Sequence, residues 1–236
     1  MKKLIAALTV GIALGVATCA SAAPVKSDWT GEDSITKGWF TYDAMGCMLL
    51  KECKEDITQV KSSDDIRDMF PNQNWDVVSE EFDAIVNAFD KLDINVYVAS
   101  PRYFPPAHRG VYHTVSNHMY LNEAWVSRPH ILMAVLRHEG WHAAQDCMAG
   151  TLDNTLLAII RPEEDVPSLW ADMAAKAYYQ NPKAIPWEKE AFWAGHEEGM
   201  TQEALEVCAS GTPMWEVYPP TPLTKQWLIE NNYIKE

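Results

Sequence analysis

His138-Glu139-Gly140-Trp141-His142 sets two imidazoles four residues apart, with a carboxylate beside the first. On an α-helix that spacing stacks both histidines on one face, so their rings can share one metal ion. Neutral imidazole suits zinc, and Glu139 is placed to take a proton from water that such an ion activates. Catalytic zinc ordinarily has three protein ligands and one open position, so a third donor must come from elsewhere in the chain. Downstream, Trp187-Glu188-Lys189-Glu190-Ala191 offers two carboxylates. Two residues apart, they point about 200° away from each other around a helix, so only one can face a given ion. His196 and Asp146 are further possible donors. No Ser–His–Asp or Gly-x-Ser-x-Gly arrangement competes with this chemistry.

The surrounding sequence predicts the elements that would carry these groups. Ser127 is a cap for a helix with Pro129 in its first turn, which runs to Gly150 and holds the motif. Val78, Phe82, Ile85 and Phe89 follow a 3–4 spacing and predict an amphipathic helix over Val77 to Leu92. Between the two helices the period shortens. Ile94 to Val98, Gly110 to Val115 and His118 to Leu121 read as strands, separated by a Pro-rich loop over Arg102 to Arg109 and a turn at Ser116-Asn117. Short helices are expected over Tyr42 to Cys53 and Ser62 to Phe70. Another spans Ser168 to Tyr179, and Pro186 opens a long helical stretch from Trp187 to Ala209, interrupted at Gly195 and Gly199. After Gly211 the prolines at 213, 219, 220 and 222 predict an irregular strap. The fold class is α+β: one mainly helical domain with a small β-sheet packed beside the motif helix.

Helix, small sheet, motif helix and then a glutamate-bearing helix is an order that resembles the zincin metallopeptidases, and among them the type whose third ligand is Glu. The resemblance covers roughly residues 77 to 209. It implies Zn²⁺ held by His138 and His142, with Glu139 as the general base. In that type the third ligand comes from a segment similar to Glu-x-x-Ala-Asp, which Glu188 and Ala191 match; this makes Glu188 the expected ligand and Glu190 the alternative. Phe192 departs from the pattern, standing where an acid would support a zinc-bound histidine, so that support has to come from another group. Asp146, one turn past His142, is a candidate for it. The strand over Gly110 to Val115 would pair with an extended peptide, and Tyr112, His113 or Tyr218 could donate to an oxyanion. Trp141 and Trp193 flank the ligands and read as core packing.

The chain as a whole bounds the function classes. Lys2 and Lys3, the apolar run Leu4 to Ala17 and Ala20-Ser21-Ala22 read as a cleaved signal peptide over residues 1–22, leaving one domain over 23–236. Loss of the two lysines takes the formal net charge from −14 to −16. So acidic a protein is not expected to bind nucleic acid, and no stable membrane insertion is expected after cleavage. Cys47, Cys53, Cys147 and Cys208 then form an even set, consistent with two disulfides in an exported, periplasmic or secreted protein. Cys147 with Cys208 and Cys47 with Cys53 is the preferred pairing, the second of these requiring a break in the helix between them. The expected function is an exported zinc metallopeptidase acting on a peptide or protein substrate. The alternatives are a non-catalytic zinc-binding secreted or envelope protein that keeps the fold, and an interaction domain that binds no metal.

Overall fold

A computed structural model describes residues 10–13, 56–104, 108–154 and 156–236. The sheet is built from β1 (Val10–Ala13), β2 (Ile57–Val60), β3 (Asn95–Ala99), β4 (His108–His113) and β5 (His118–Asn122), in the order β1-β4-β5-β3-β2. β3 and β5 run parallel and the other neighbours antiparallel. β4 begins two residues earlier than its apolar pattern predicts, inside the stretch read as loop, and β2 has no counterpart in the predicted elements. β1, which falls in the stretch read as a leader, pairs antiparallel with β4. The helix expected over Tyr42 to Cys53, and with it Cys47 and Cys53, falls outside the described residues.

The helices are α1 (Ser63–Met69), α2 (Ser79–Lys91), α3 (Glu123–Val126), α4 (Pro129–Met148), α5 (Ser168–Ala177), α6 (Ile185–Ala194), α7 (Met200–Ala209), α8 (Met214–Val217) and α9 (Pro222–Glu230). The predicted α2 forms as expected and buries Phe82, Ile85 and Phe89. Ser127 does not cap α4. Asn122 instead caps a short helix, its side chain accepting from Ala124 N–H at 3.1 Å, and Ser127 closes that helix before Pro129 opens the next. The tail also differs from a strap. Thr221 caps α9 with Pro222 at its first position, where a missing N–H costs nothing, so a proline that reads as a breaker acts here as a starter. The long stretch after Pro186 divides into α6 and α7 at Gly195 to Gly199, and Gly199 has φ +81°, a left-handed conformation that favours glycine.

α4 is the axis of the molecule. It lies against β4 on one side and packs on α6 and α7 on others, so it is buried on nearly every face from Leu132 to Met148. A helix enclosed in this way has no polar side to turn to water. Its five buried polar residues, His138, Glu139, His142, Gln145 and Asp146, must therefore find partners inside the protein. The frame around them is tied at both ends. Arg137 pairs with Glu81 of α2, whose carboxylate also accepts from Gly199 N–H at 3.0 Å, and Cys147 is bonded to Cys208 of α7, as the cysteine pattern predicts.

Candidate metal centre

The predicted spacing brings His138 and His142 together on the face of α4 that meets α6, and α6 delivers Glu188 to them. His138 Nε2 lies 3.3 Å from His142 Nε2 and 3.3 Å from Glu188 Oε2, and His142 Nε2 lies 3.7 Å from Glu188 Oε1. Donor atoms about 2.0–2.2 Å from a tetrahedral ion sit about 3.3–3.6 Å from one another. The two shorter separations fall in this range and the third lies just above it, so the group could hold a metal ion. Among the described residues no fourth His, Cys, Asp or Glu joins the group. All three ligand candidates are buried, with relative exposures of 2%, 0% and 0%.

Protonation decides whether these atoms could instead satisfy one another. Burial pushes His138 down to about 3, with the nearby His196 adding to the effect, and pushes His142 down to about 4 against the attraction of Glu188. Both rings are neutral at physiological pH, so each has one N–H. His142 Nδ1 faces Gln145 Oε1 at 2.8 Å, which leaves its Nε2 as a lone pair facing the Glu188 carboxylate, and His138 hydrogen-bonds the Ala191 carbonyl. An ionised carboxylate and an imidazole lone pair at this spacing repel unless a proton or a cation lies between them. Glu188 carries the same signature. Burial raises its carboxyl to about 7, partly offset by His142 and by a hydrogen bond from the Tyr178 hydroxyl. A buried carboxylate with a single hydroxyl donor beside two imidazoles fits a divalent metal.

Glu139 is held against the sheet. Its Oε2 accepts from Tyr112 N–H of β4 at 2.8 Å, and its buried Oε1 has no partner among the described residues. Burial raises its carboxyl well above the usual range, a shift that Tyr112 N–H opposes and Glu188 adds to. Gly110 allows this approach. A Cβ there would stand 2.6 Å from Val135 Cγ1 and 3.0 Å from Glu139 Cγ, so any larger residue would drive β4 away from α4.

The other predicted residues separate into those near the centre and those away from it. Glu190, the alternative ligand, points away from the triangle. It accepts from Trp141 Nε1 (3.1 Å), Gln145 Nε2 (2.6 Å), Ile160 N–H (3.0 Å) and Arg161 N–H. Asp146 does not orient His142, because its carboxylate accepts from the Tyr112 hydroxyl at 2.9 Å on the sheet side. That bond also turns the Tyr112 hydroxyl from any oxyanion. His113 is engaged with Ser116, and Tyr218 lies under the Arg161 guanidinium. His196 is exposed, stacked on Trp170 with its Nδ1 at the Phe192 carbonyl. Phe192 packs edge-on against the His138 ring, a wall where an acid would be a hydrogen-bond partner.

Two residues at the centre were not among the predicted ones. Gln145 supplies the support for His142 that Phe192 cannot give to its neighbour, and its i, i+3 spacing from His142 was the available signal. Tyr178, just past the end of α5, brings its hydroxyl to Glu188, and its position one residue past a helix end gives no such signal. Comparison of the chain with protein-family models, with curated proteins and with solved structures found no match.

Proposed function

We propose that this chain is a zinc-dependent metallopeptidase that works outside the cytoplasm. The observation that carries the reading is the group of His138 Nε2, His142 Nε2 and Glu188, three buried ligand atoms close enough to share one ion. Three protein donors rather than four leave one position free, which is the catalytic and not the structural pattern for zinc. Zinc, when bound, polarises a carbonyl and brings the pKa of a water towards ~7. The protein's own part is the proton transfer. Glu139 has one oxygen pinned by Tyr112 N–H and the other free, so it can accept a proton from the attacking water and return it to the leaving amine. The Cys147–Cys208 disulfide supports an oxidising compartment, and among the described residues no helix is long and apolar enough to cross a membrane.

Burial favours a second reading, in which the metal only holds α4 to α6 and nothing is hydrolysed, since all four residues are at most 2% exposed. One pair of measurements separates the two. Purified protein should hold one zinc per chain. Glu139→Gln should keep that zinc and lose about 10²–10⁴-fold in hydrolysis of a broad peptide library. Equal inertness of wild type and variant, with zinc present in both, would establish the structural reading; no zinc in either would remove both.

A further inference from the structure

Behind the ligand candidates, a hydrogen-bonded chain His142–Gln145–Glu190 crosses from α4 to α6. Its hydrogen-bond directions can be assigned without choosing a tautomer in advance. A backbone carbonyl only accepts, and one nitrogen or oxygen of the Gln145 amide lies 3.1 Å from the Trp187 carbonyl. That atom must be the donor Nε2. The same Nε2 lies 2.6 Å from Glu190 Oε2, and Glu190 is surrounded by donors from Trp141, Ile160 and Arg161, so it too is an acceptor. The remaining amide atom, Oε1, faces His142 Nδ1 at 2.8 Å and can only accept. The proton of His142 is therefore on Nδ1, and Nε2 is left with its lone pair towards His138 and Glu188.

We propose that Gln145 and Glu190 form a positioning relay that fixes His142 in its Nδ1–H tautomer and aims Nε2 at the metal. The motif in this chain then extends to His138-Glu139-x-x-His142-x-x-Gln145, with Glu190 as its anchor on α6. This inference rests on the metal reading for its purpose but not for its geometry. Glu190 has four donors where one would orient Gln145, because it also binds the Ile160 and Arg161 amides and so locks the segment after α4 to the same point. His138 is supported differently, by a backbone carbonyl that no side-chain substitution can remove.

The test begins with metal-free wild type, in which nitrogen-correlated NMR of the imidazoles should show His142 as a single Nδ1–H tautomer. An Nε2–H tautomer there overturns the relay with no variant needed. Gln145→Met, similar in size and without the amide, should give a mixture of His142 tautomers while His138 is unchanged. Its zinc affinity, read by chelator competition, should fall about 10–100-fold. Glu190→Gln, which keeps one accepting oxygen, should fall between the two. Retention of one tautomer and of affinity within twofold in Gln145→Met would refute the proposal. If wild type binds no zinc, the proposed function fails, while the tautomer measurement still decides the relay.

Discussion

Glu188 and Glu190 lie two residues apart on α6, both sealed from solvent, and they meet opposite surroundings. Glu190 faces four N–H donors from two parts of the chain; Glu188 faces two imidazoles and the Tyr178 hydroxyl. Burial raises both carboxyls to about 7. The same tendency has different meanings. Four donors and no acceptor make the ionised form of Glu190 the one its neighbours satisfy, and the protein completes that site alone. Glu188 is incomplete without a proton or a cation. One carboxylate belongs to the fold and the other to whatever the fold binds.

The largest expected effects come from exchanging those roles. Glu188→Gln should abolish zinc binding, a loss of more than about 10³-fold, and should leave the metal-free protein as stable as wild type or stabilised by about 1 kcal/mol, because an amide can donate to the histidine lone pairs. Glu190→Ala should do the reverse. It should strand four buried donors at a cost of about 3–5 kcal/mol in denaturant unfolding of the metal-free protein, yet retain measurable zinc binding. If both substitutions destabilise the metal-free protein equally, the distinction between a structural and a ligating carboxylate fails.

The contrast also shows what a sequence can disclose. His138, His142 and Glu188 were readable because metal ligation demands particular residue types at helical spacing, and α4 was readable because a long apolar run with a proline near its start has few alternatives. Geometry around a helix allowed only one of Glu188 and Glu190 to face the ion, and the structure agrees. Gln145 was not singled out, since a glutamine in a helix is ordinary until its neighbours are known to be buried. Asp146 was assigned to His142 because both occupy α4, but α4 is enclosed, and its sheet-facing side claims Asp146 for Tyr112. The C-terminal helices were read as irregular because prolines at a helix start and prolines in a strap look alike until a cap such as Thr221 is seen to be engaged.

A smaller effect tests whether the two carboxylates depend on the same frame. The Cys147–Cys208 bond closes a loop of 61 residues that contains α5 and α6 and so joins the end of α4 to α7 around the glutamate-bearing helix. Replacing both cysteines by serine should lower stability by about 2–4 kcal/mol in chemical denaturation, mostly by releasing the unfolded chain. Zinc affinity of the folded protein should change by less than about threefold, because the ligands are set by α4–α6 packing and by the Glu190 bonds. A parallel loss of stability and affinity would mean that the disulfide, and not the local network, sets the triangle.

The smallest expected effect concerns the third buried acid, Asp146, which belongs with neither glutamate. It has one donor, the Tyr112 hydroxyl, and an Oδ1 with no partner, so burial dominates and raises its carboxyl to about 8. A carboxyl whose pKa is higher in the folded than in the unfolded state binds its proton more tightly when folded. Its contribution is fully present below the unfolded value of about 4 and is lost as pH rises to the folded value. Asp146→Asn, which keeps an oxygen for Tyr112, should be nearly neutral at pH 4 and gain on wild type progressively as pH rises, by at least about 1 kcal/mol at pH 8, read from denaturant midpoints on metal-free protein. Four donors offset much of the burial at Glu190 and hold its carboxyl to about 7, so Glu190→Gln should show a smaller gain as pH rises. A gain of equal size in both variants would mean that burial alone governs these acids and that the four donors around Glu190 do not set it apart.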